Sequence, residues 1–234
     1  MSKDDRMARR RRLTERLAGL RERTRLLELE LSEYTSGHFR VCIFGSARIK
    51  SDDAIYQLTE QIAEELGRRG IDVLTGGGPG LMEAANKGAT EGRVASGSKS
   101  KSFGISIELG NFEPPNDHLD IKHHHKRFSS RLDDFMRLSN AVIITPGGIG
   151  TLLELYFSWQ LLQVGHIPDR PIILVGREFW SGLIDWMRQK QAGAKLVSPG
   201  DFRWLHLVDY PNEVMEVIDE EFGRFKERLG AHGL

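Results

Sequence analysis

One cysteine, Cys42, occurs in 234 residues. That scarcity excludes an internal disulfide and a cysteine-built zinc site within one chain, and it fits a reducing compartment. Net charge is also missing: 33 Lys and Arg balance 33 Asp and Glu, so no overall field draws the molecule to nucleic acid or to a membrane surface. Long apolar runs are absent too. The longest, Ala141–Thr145 and Pro171–Val175, have the length of strands, far short of the roughly eighteen residues of a membrane span. The opening segment is charged from Lys3 through Arg25 and lacks the apolar centre of a signal peptide. The expected location is the cytoplasm.

What is present falls into two parts. In residues 1–36, Leu13, Leu17, Leu20, Thr24, Leu27, Leu31 and Tyr34 alternate spacings of four and three, the seam of an amphipathic helix. Such a seam either packs on its own domain or pairs across a dimer. Arg9–Arg12 reads as a solvated helix start, and nucleic acid is not an expected partner.

From residue 37 to 234 the pattern is strand, glycine turn, helix, repeated. Strands are expected at Val41–Phe44, Asp72–Thr75, Phe103–Leu109, Ala141–Thr145, Pro171–Val175 and Trp204–Val208, with helices between, including Asp53–Arg69, His125–Leu138 and Trp180–Lys190. Short, nearly all-apolar strands alternating with helices predict an α/β fold: one doubly wound, Rossmann-like parallel sheet covered on both faces, preceded by the N-terminal helix. The serine-rich stretch Ser96–Ser102 reads as a mobile loop.

In such a sheet ligands lie beyond the carboxyl ends of the strands. Three turns rich in small residues belong there: Gly45-Ser46-Ala47, Gly76–Gly80 and Gly147–Thr151. Each exposes backbone N–H groups at a strand end, and a helix N-terminus adds partial positive charge, so a phosphate is the natural ligand. Thr151 offers a hydroxyl as well. Two nucleotide motifs are missing. No turn continues into Gly-Lys-Ser/Thr, which excludes a P-loop triphosphatase. The third glycine of the dinucleotide fingerprint is replaced by Leu81 in one turn and by Leu153 in the other, which argues against an NAD enzyme. His123-His124-His125 invites a metal reading, but three adjacent histidines do not point one way and no cluster elsewhere completes a set; no metal or other cofactor is expected.

Gly76-Gly77-Gly78-Pro79-Gly80-Leu81-Met82-Glu83-Ala84 and Pro146-Gly147-Gly148-Ile149-Gly150-Thr151-Leu152-Leu153-Glu154 resemble the paired signatures of the LOG family, long mislabelled as lysine decarboxylases. The resemblance runs from about Phe39 to Pro211. It implies a nucleoside 5′-monophosphate phosphoribohydrolase, a class that includes the cytokinin-activating enzymes, with a purine monophosphate such as AMP as substrate and a homodimer or larger homo-oligomer as the assembly; Phe157 argues against cytokinin-type substrates. It implies Arg131 and Glu154 as the catalytic pair, the phosphate held by Gly147, Gly148, Gly150 and Thr151, and the ribose and base lined by Gly77, Gly78, Gly80 and Met82, with Gly45 and Ser46 beside them. Chemically, a carboxylate either stabilises or attacks an oxocarbenium-like sugar, or orients water; Arg131 stays charged and grips the ligand or holds Glu154 ionised. Two positions depart from the family: Leu132 where lysine is common, and Phe157 where many members carry a second glutamate. They motivate an alternative, a binding protein for a nucleotide or the molybdenum cofactor on the same fold, and Phe157 is expected to make the pocket more apolar.

Overall fold

A computed structural model of the chain describes residues 7, 9–21, 23, 24, 37–108 and 114–231. The chain divides into a unit Met1–His38 and a unit Phe39–Gly233. In the first, the described residues up to 24 are helical, Arg11 pairs with Glu15 one turn on at 3.0 Å, and Leu13, Leu17 and Leu20 are exposed. The later seam positions Leu27, Leu31 and Tyr34 lie outside the described residues.

The second unit is a seven-stranded sheet in the order β4-β3-β2-β1-β5-β6-β7, every neighbouring pair parallel. The strands are β1 Arg40–Phe44, β2 Asp72–Thr75, β3 Ser102–Ile107, β4 Ile121–His125, β5 Ala141–Ile144, β6 Ile172–Val175 and β7 Leu205–Val208. The helices are α1 Ala54–Arg68, α2 Leu81–Ser96, α3 Phe128–Leu138, α4 Ile149–Gln163, α5 Arg177–Trp186 and α6 Pro211–Ala231. Alternation along the strands separates two cores. Val41 and Ile43 face α1, α2 and α6; Cys42 and Phe44 face α3, α4 and α5. Burial on both faces is why these strands are apolar throughout. Among the described residues no helix is long and apolar enough to cross a membrane.

Helices α1 and α2 touch along a seam without side chains. A Cβ on Gly88 or Gly92 would fall inside van der Waals contact of the Glu60 and Glu64 carbonyls of α1. The Lys87–Glu60 ion pair at 2.7 Å flanks this contact.

Four sequence expectations are corrected. Ile121–His125 is a strand, β4, at the sheet edge, so α3 begins at Phe128 rather than His125. Strand β3 spans Ser102–Ile107, not Phe103–Leu109. Helix α5 ends at Trp186 and continues as a wider π turn, Met187–Ala192, rather than running from Trp180 to Lys190. Ser96–Ser102 is tied down rather than a mobile loop: Ser98 Oγ donates to the Gly67 carbonyl at 2.6 Å, and Lys101 N–H donates to Asp72 at 2.7 Å. The serines satisfy the carbonyl end of α1, which a compositional reading of the stretch does not reveal.

Cys42 lies wholly within the sheet, where burial pushes its thiol up to about 12. A buried neutral thiol is inert. The native protein is expected to release no thionitrobenzoate from Ellman's reagent over minutes and one equivalent once unfolded in guanidinium; rapid native reaction would contradict this packing.

Candidate active site

The chain leaves β1 toward β2, β3 and β4 on one side and returns to β5 on the other. The carboxyl ends of β1 and β5 therefore flank the switch point at which open α/β sheets bind ligands. The three glycine turns meet there and are bonded to one another. Ser46 N–H donates to the Pro146 carbonyl at 3.2 Å, and Leu81 N–H donates to the Ser46 carbonyl at 3.0 Å. Gly80 adopts φ +68°, and a Cβ there would stand 2.5 Å from the Ser46 carbonyl oxygen, so only glycine lets the second turn lie on the first. Gly45, Ser46 and Gly80 thus join the turns together, while Gly147 packs on Thr151 of its own turn.

Helix α4 begins in this junction. No side chain caps it, and among the described residues no acceptor meets the N–H groups of Ile149, Gly150 and Thr151. Nothing lies within 4 Å of where a Cβ would stand on Gly148 or Gly150. The result is a cluster of open donors with the positive end of a helix behind it. Thr151 is buried and packs beneath Gly147 rather than standing in the opening.

Arg131, from α3, reaches across to this point. Its Nη1 lies 3.6 Å from Glu154 Oε1, the two side chains being 13% and 12% exposed. Its Nε donates to the Ile105 carbonyl at 2.8 Å, its guanidinium lies 5.1 Å from the Phe135 ring centre, and Nη2 would be 2.5 Å from a Cβ on Gly76. Burial pushes Glu154 up to about 7, against the pull of the Arg131 charge. Burial likewise lowers Arg131, with Glu154 opposing. A carboxyl poised near neutrality beside a fixed cation is a common feature of catalytic sites.

Beyond Arg131 a cleft of about 400 Å³ opens, lined by Gly76, Gly77, Gly78 and Met82 and by residues of β3, β4 and the start of α3. Arg131 belongs to its wall; Glu154 and the Gly147–Thr151 turn do not. Phe157 packs against the core and, like Glu154, is absent from the cleft wall; Leu132 is buried.

Sequence patterns missed what holds the second turn. Asn116 Nδ2 donates to the Gly78 carbonyl at 2.9 Å and to Asn86 Oδ1 at 3.0 Å. Thr75 Oγ1 donates to Asn86 Oδ1 at 2.6 Å while accepting from Gly77 N–H at 2.9 Å. Single buried asparagines have no periodicity to betray them. The histidines alternate across β4. His125 Nε2 lies 2.9 Å from Asp134 Oδ2, and Arg137 donates to the same carboxylate at 2.7 Å. Burial pushes Asp134 up, but His123, 3.8 Å away, the hydrogen bond from Arg137 and the nearby His125 outweigh it and hold the carboxyl well below the usual range. Among the described residues no group of three or more His, Cys, Asp or Glu is placed to hold a metal ion.

A family model described as "Possible lysine decarboxylase" matches residues 82–218, from the first turn of α2 through α4 and into α6. The chain belongs to that family. Family relatives include the pyrimidine/purine nucleotide 5′-monophosphate nucleosidase of Escherichia coli (strain K12), 32% identical over 140 residues, 58% of this chain and 30% of the relative. The chain therefore spans under a third of that relative's length. A rice protein (Oryza sativa subsp. japonica) named "Probable cytokinin riboside 5'-monophosphate phosphoribohydrolase LOGL3" is 26% identical over 82% of this chain and 88% of its own. Among solved structures, the molybdenum cofactor binding protein of Rippkaea orientalis superposes with TM-score 0.58 at 20% identity, covering 78% of this chain and 96% of that one. The molybdenum cofactor carrier protein of Chlamydomonas reinhardtii gives 0.53 at 16% identity, covering 80% and 99%. At those identities the family shares its fold with the two proteins, and nothing further follows from the likeness.

Proposed function

We propose that the protein hydrolyses the N-glycosidic bond of a nucleoside 5′-monophosphate, releasing the base and ribose 5-phosphate. The observation that carries this reading is the buried Arg131–Glu154 pair beside the uncapped start of α4. The phosphate accepts from the N–H groups of Ile149, Gly150 and Thr151, over the open faces of Gly148 and Gly150. C1′ then lies at Glu154 and the base points past Arg131 into the cleft. The C1′–N bond breaks with its electron pair leaving on the base nitrogen, which takes up a proton. The ionised carboxylate of Glu154 stabilises the cationic sugar, water supplies the new C1′–O bond, and its proton is released. Arg131 keeps its charge throughout, holding Glu154 and the ligand in register. The names of the nucleosidase and phosphoribohydrolase relatives support the same reaction class.

A homodimer accompanies this reading. Helix α4 is apolar nearly all round, and on its outer side Ile149, Leu153 and Tyr156 are 88%, 46% and 37% exposed, a face that a second copy would cover. A cytoplasmic location is proposed on the single buried thiol.

Incubation with AMP, GMP, IMP, UMP and their nucleosides, followed by chromatography of free base, tests the reaction: release from monophosphates alone is expected. Because the carboxylate is the working form and Glu154 titrates at about 7, kcat/KM should rise about tenfold per pH unit below that point, to a plateau above it. The substrate phosphate titrates lower, at about 6, so the limb distinguishes the two groups. A profile flat from pH 5 to 8 removes Glu154 from this role. Binding of a monophosphate with no release of base would instead favour the carrier reading suggested by Leu132 and Phe157.

A further inference from the structure

The cleft has a polar wall to which the reaction itself assigns no task. Strand register sets Gly104 opposite Lys122 and Ser106 opposite His124. Residues two apart on a strand share a face, so all four project to one side of the sheet edge, and all four line the cleft. Around them Met82, Leu119 and Phe128 supply apolar surface of the kind that holds the faces of a flat ring.

The hydrogen bonding of this wall is directional. Ser106 Oγ donates its one proton to the His123 carbonyl at 3.2 Å. The same oxygen lies 3.0 Å from His124 Nδ1; with its proton on the carbonyl it accepts from Nδ1–H, the tautomer in which Nε2 of a neutral ring is an acceptor. Beyond its place in the ladder, the Lys122 ammonium meets no acceptor or carboxylate among the described residues, and an ammonium donates only. One wall thus presents a donor and an acceptor from adjacent same-face positions.

We propose that this wall selects the base, and that it selects a 6-oxopurine, as in guanosine or inosine 5′-monophosphate, over adenine. This rests on the phosphoribohydrolase reading, which directs the base into the cleft. A 6-oxopurine carries two neighbouring acceptors, O6 and N7, the pattern that a single ammonium reads well, and an N1–H donor for His124 Nε2. Adenine in the same pose sets its amino group against Lys122, donor to donor, and its bare N1 against His124, acceptor to acceptor. Adenine keeps N7 for Lys122 but lacks the O6 acceptor and the N1–H donor, so it makes fewer of these bonds in the same pose.

The test is kcat/KM for GMP, IMP and AMP in the wild type, in Lys122→Met, which keeps the aliphatic stem, and in His124→Leu. In the wild type GMP and IMP should exceed AMP by about tenfold or more, and each substitution should bring the ratio to within about threefold. Both residues are exposed on the edge strand, and unchanged Tm values would show that both variants fold. If AMP is cleaved as well as or better than GMP and IMP, the selection is wrong while the reaction stands. A preference that survives both substitutions places the selector elsewhere and overturns the proposal. Release of no base from any monophosphate removes the reaction, and this inference with it.

Discussion

Glu154→Gln is expected to lower base release by about 10²–10⁴-fold and, at pH 8, to make the fold more stable. Both effects come from one burial. The carboxyl holds its proton up to about 7 in the folded chain, against an ordinary value of 4.5. Between those two pH values the folded state binds more protons than the unfolded one, so stability falls as pH rises through that window and stays low above it. The ionised carboxylate costs about 3 kcal/mol of stability, partly offset in the measured value by whatever the unfolded chain retains. Glutamine is neutral throughout, so its advantage should be absent at pH 4.5 and full above pH 7, amounting to several degrees in Tm. A gain in stability with a loss of catalysis is the signature of a group strained for function. Activity within tenfold of wild type, measured by base release from the preferred monophosphate, would remove Glu154 from the mechanism; a Tm lowered equally at both pH values would show that its burial serves structure instead.

Gly92→Ala should be among the most damaging single-methyl changes in the chain. In an exposed helix alanine is preferred to glycine by about 1 kcal/mol. At Gly92, however, the added carbon would collide with the Glu64 carbonyl and stand 3.0 Å from the Arg68 nitrogen. Those are backbone atoms of a packed helix, so relief requires α1 to move off α2. The expected cost is about 3 kcal/mol or more, read as a fall in the denaturant midpoint and a Tm lower by roughly 5–10 °C. Gly182→Ala and Gly223→Ala are the controls. Both lie in helices with nothing within 4 Å of the new carbon, and both should be neutral or mildly stabilising. Equal stability of Gly92→Ala and the wild type would mean that the two helices are not held at this distance.

Much of the architecture was legible because its signals are local. Strands such as Ala141–Ile144 are apolar runs between turn residues, and each glycine turn marks where a strand gives way to a helix. Strand β4 was not legible. Its sequence, Ile-Lys-His-His-His, contains the alternation of a half-buried strand, but histidine serves on both faces: His125 against Asp134 and His124 toward the cleft. A polarity pattern registers no difference between them. The Arg131–Glu154 pair came from a family signature rather than from chemistry, since an arginine and a glutamate 23 positions apart (154 − 131) have no local reason to meet. What brings them together is the position of α3 and α4 on one face of the sheet. Asn86 and Asn116 escaped for the opposite reason: each is alone, and its importance lies in contacts that span the chain.

The site is divided between the middle of the sheet and its rim. The turns around Glu154 follow β1, β2 and β5, each held between two neighbouring strands, and bonded to one another. Substitution in any one of them disturbs the others. Strand β4 is attached by a single ladder to β3, and its outward residues bear on the cleft alone. Such an arrangement separates what must be kept from what is at liberty to vary. Descendants of this chain could exchange the residues at 122 and 124 and acquire new ligand preferences while the machinery at the centre is inherited intact.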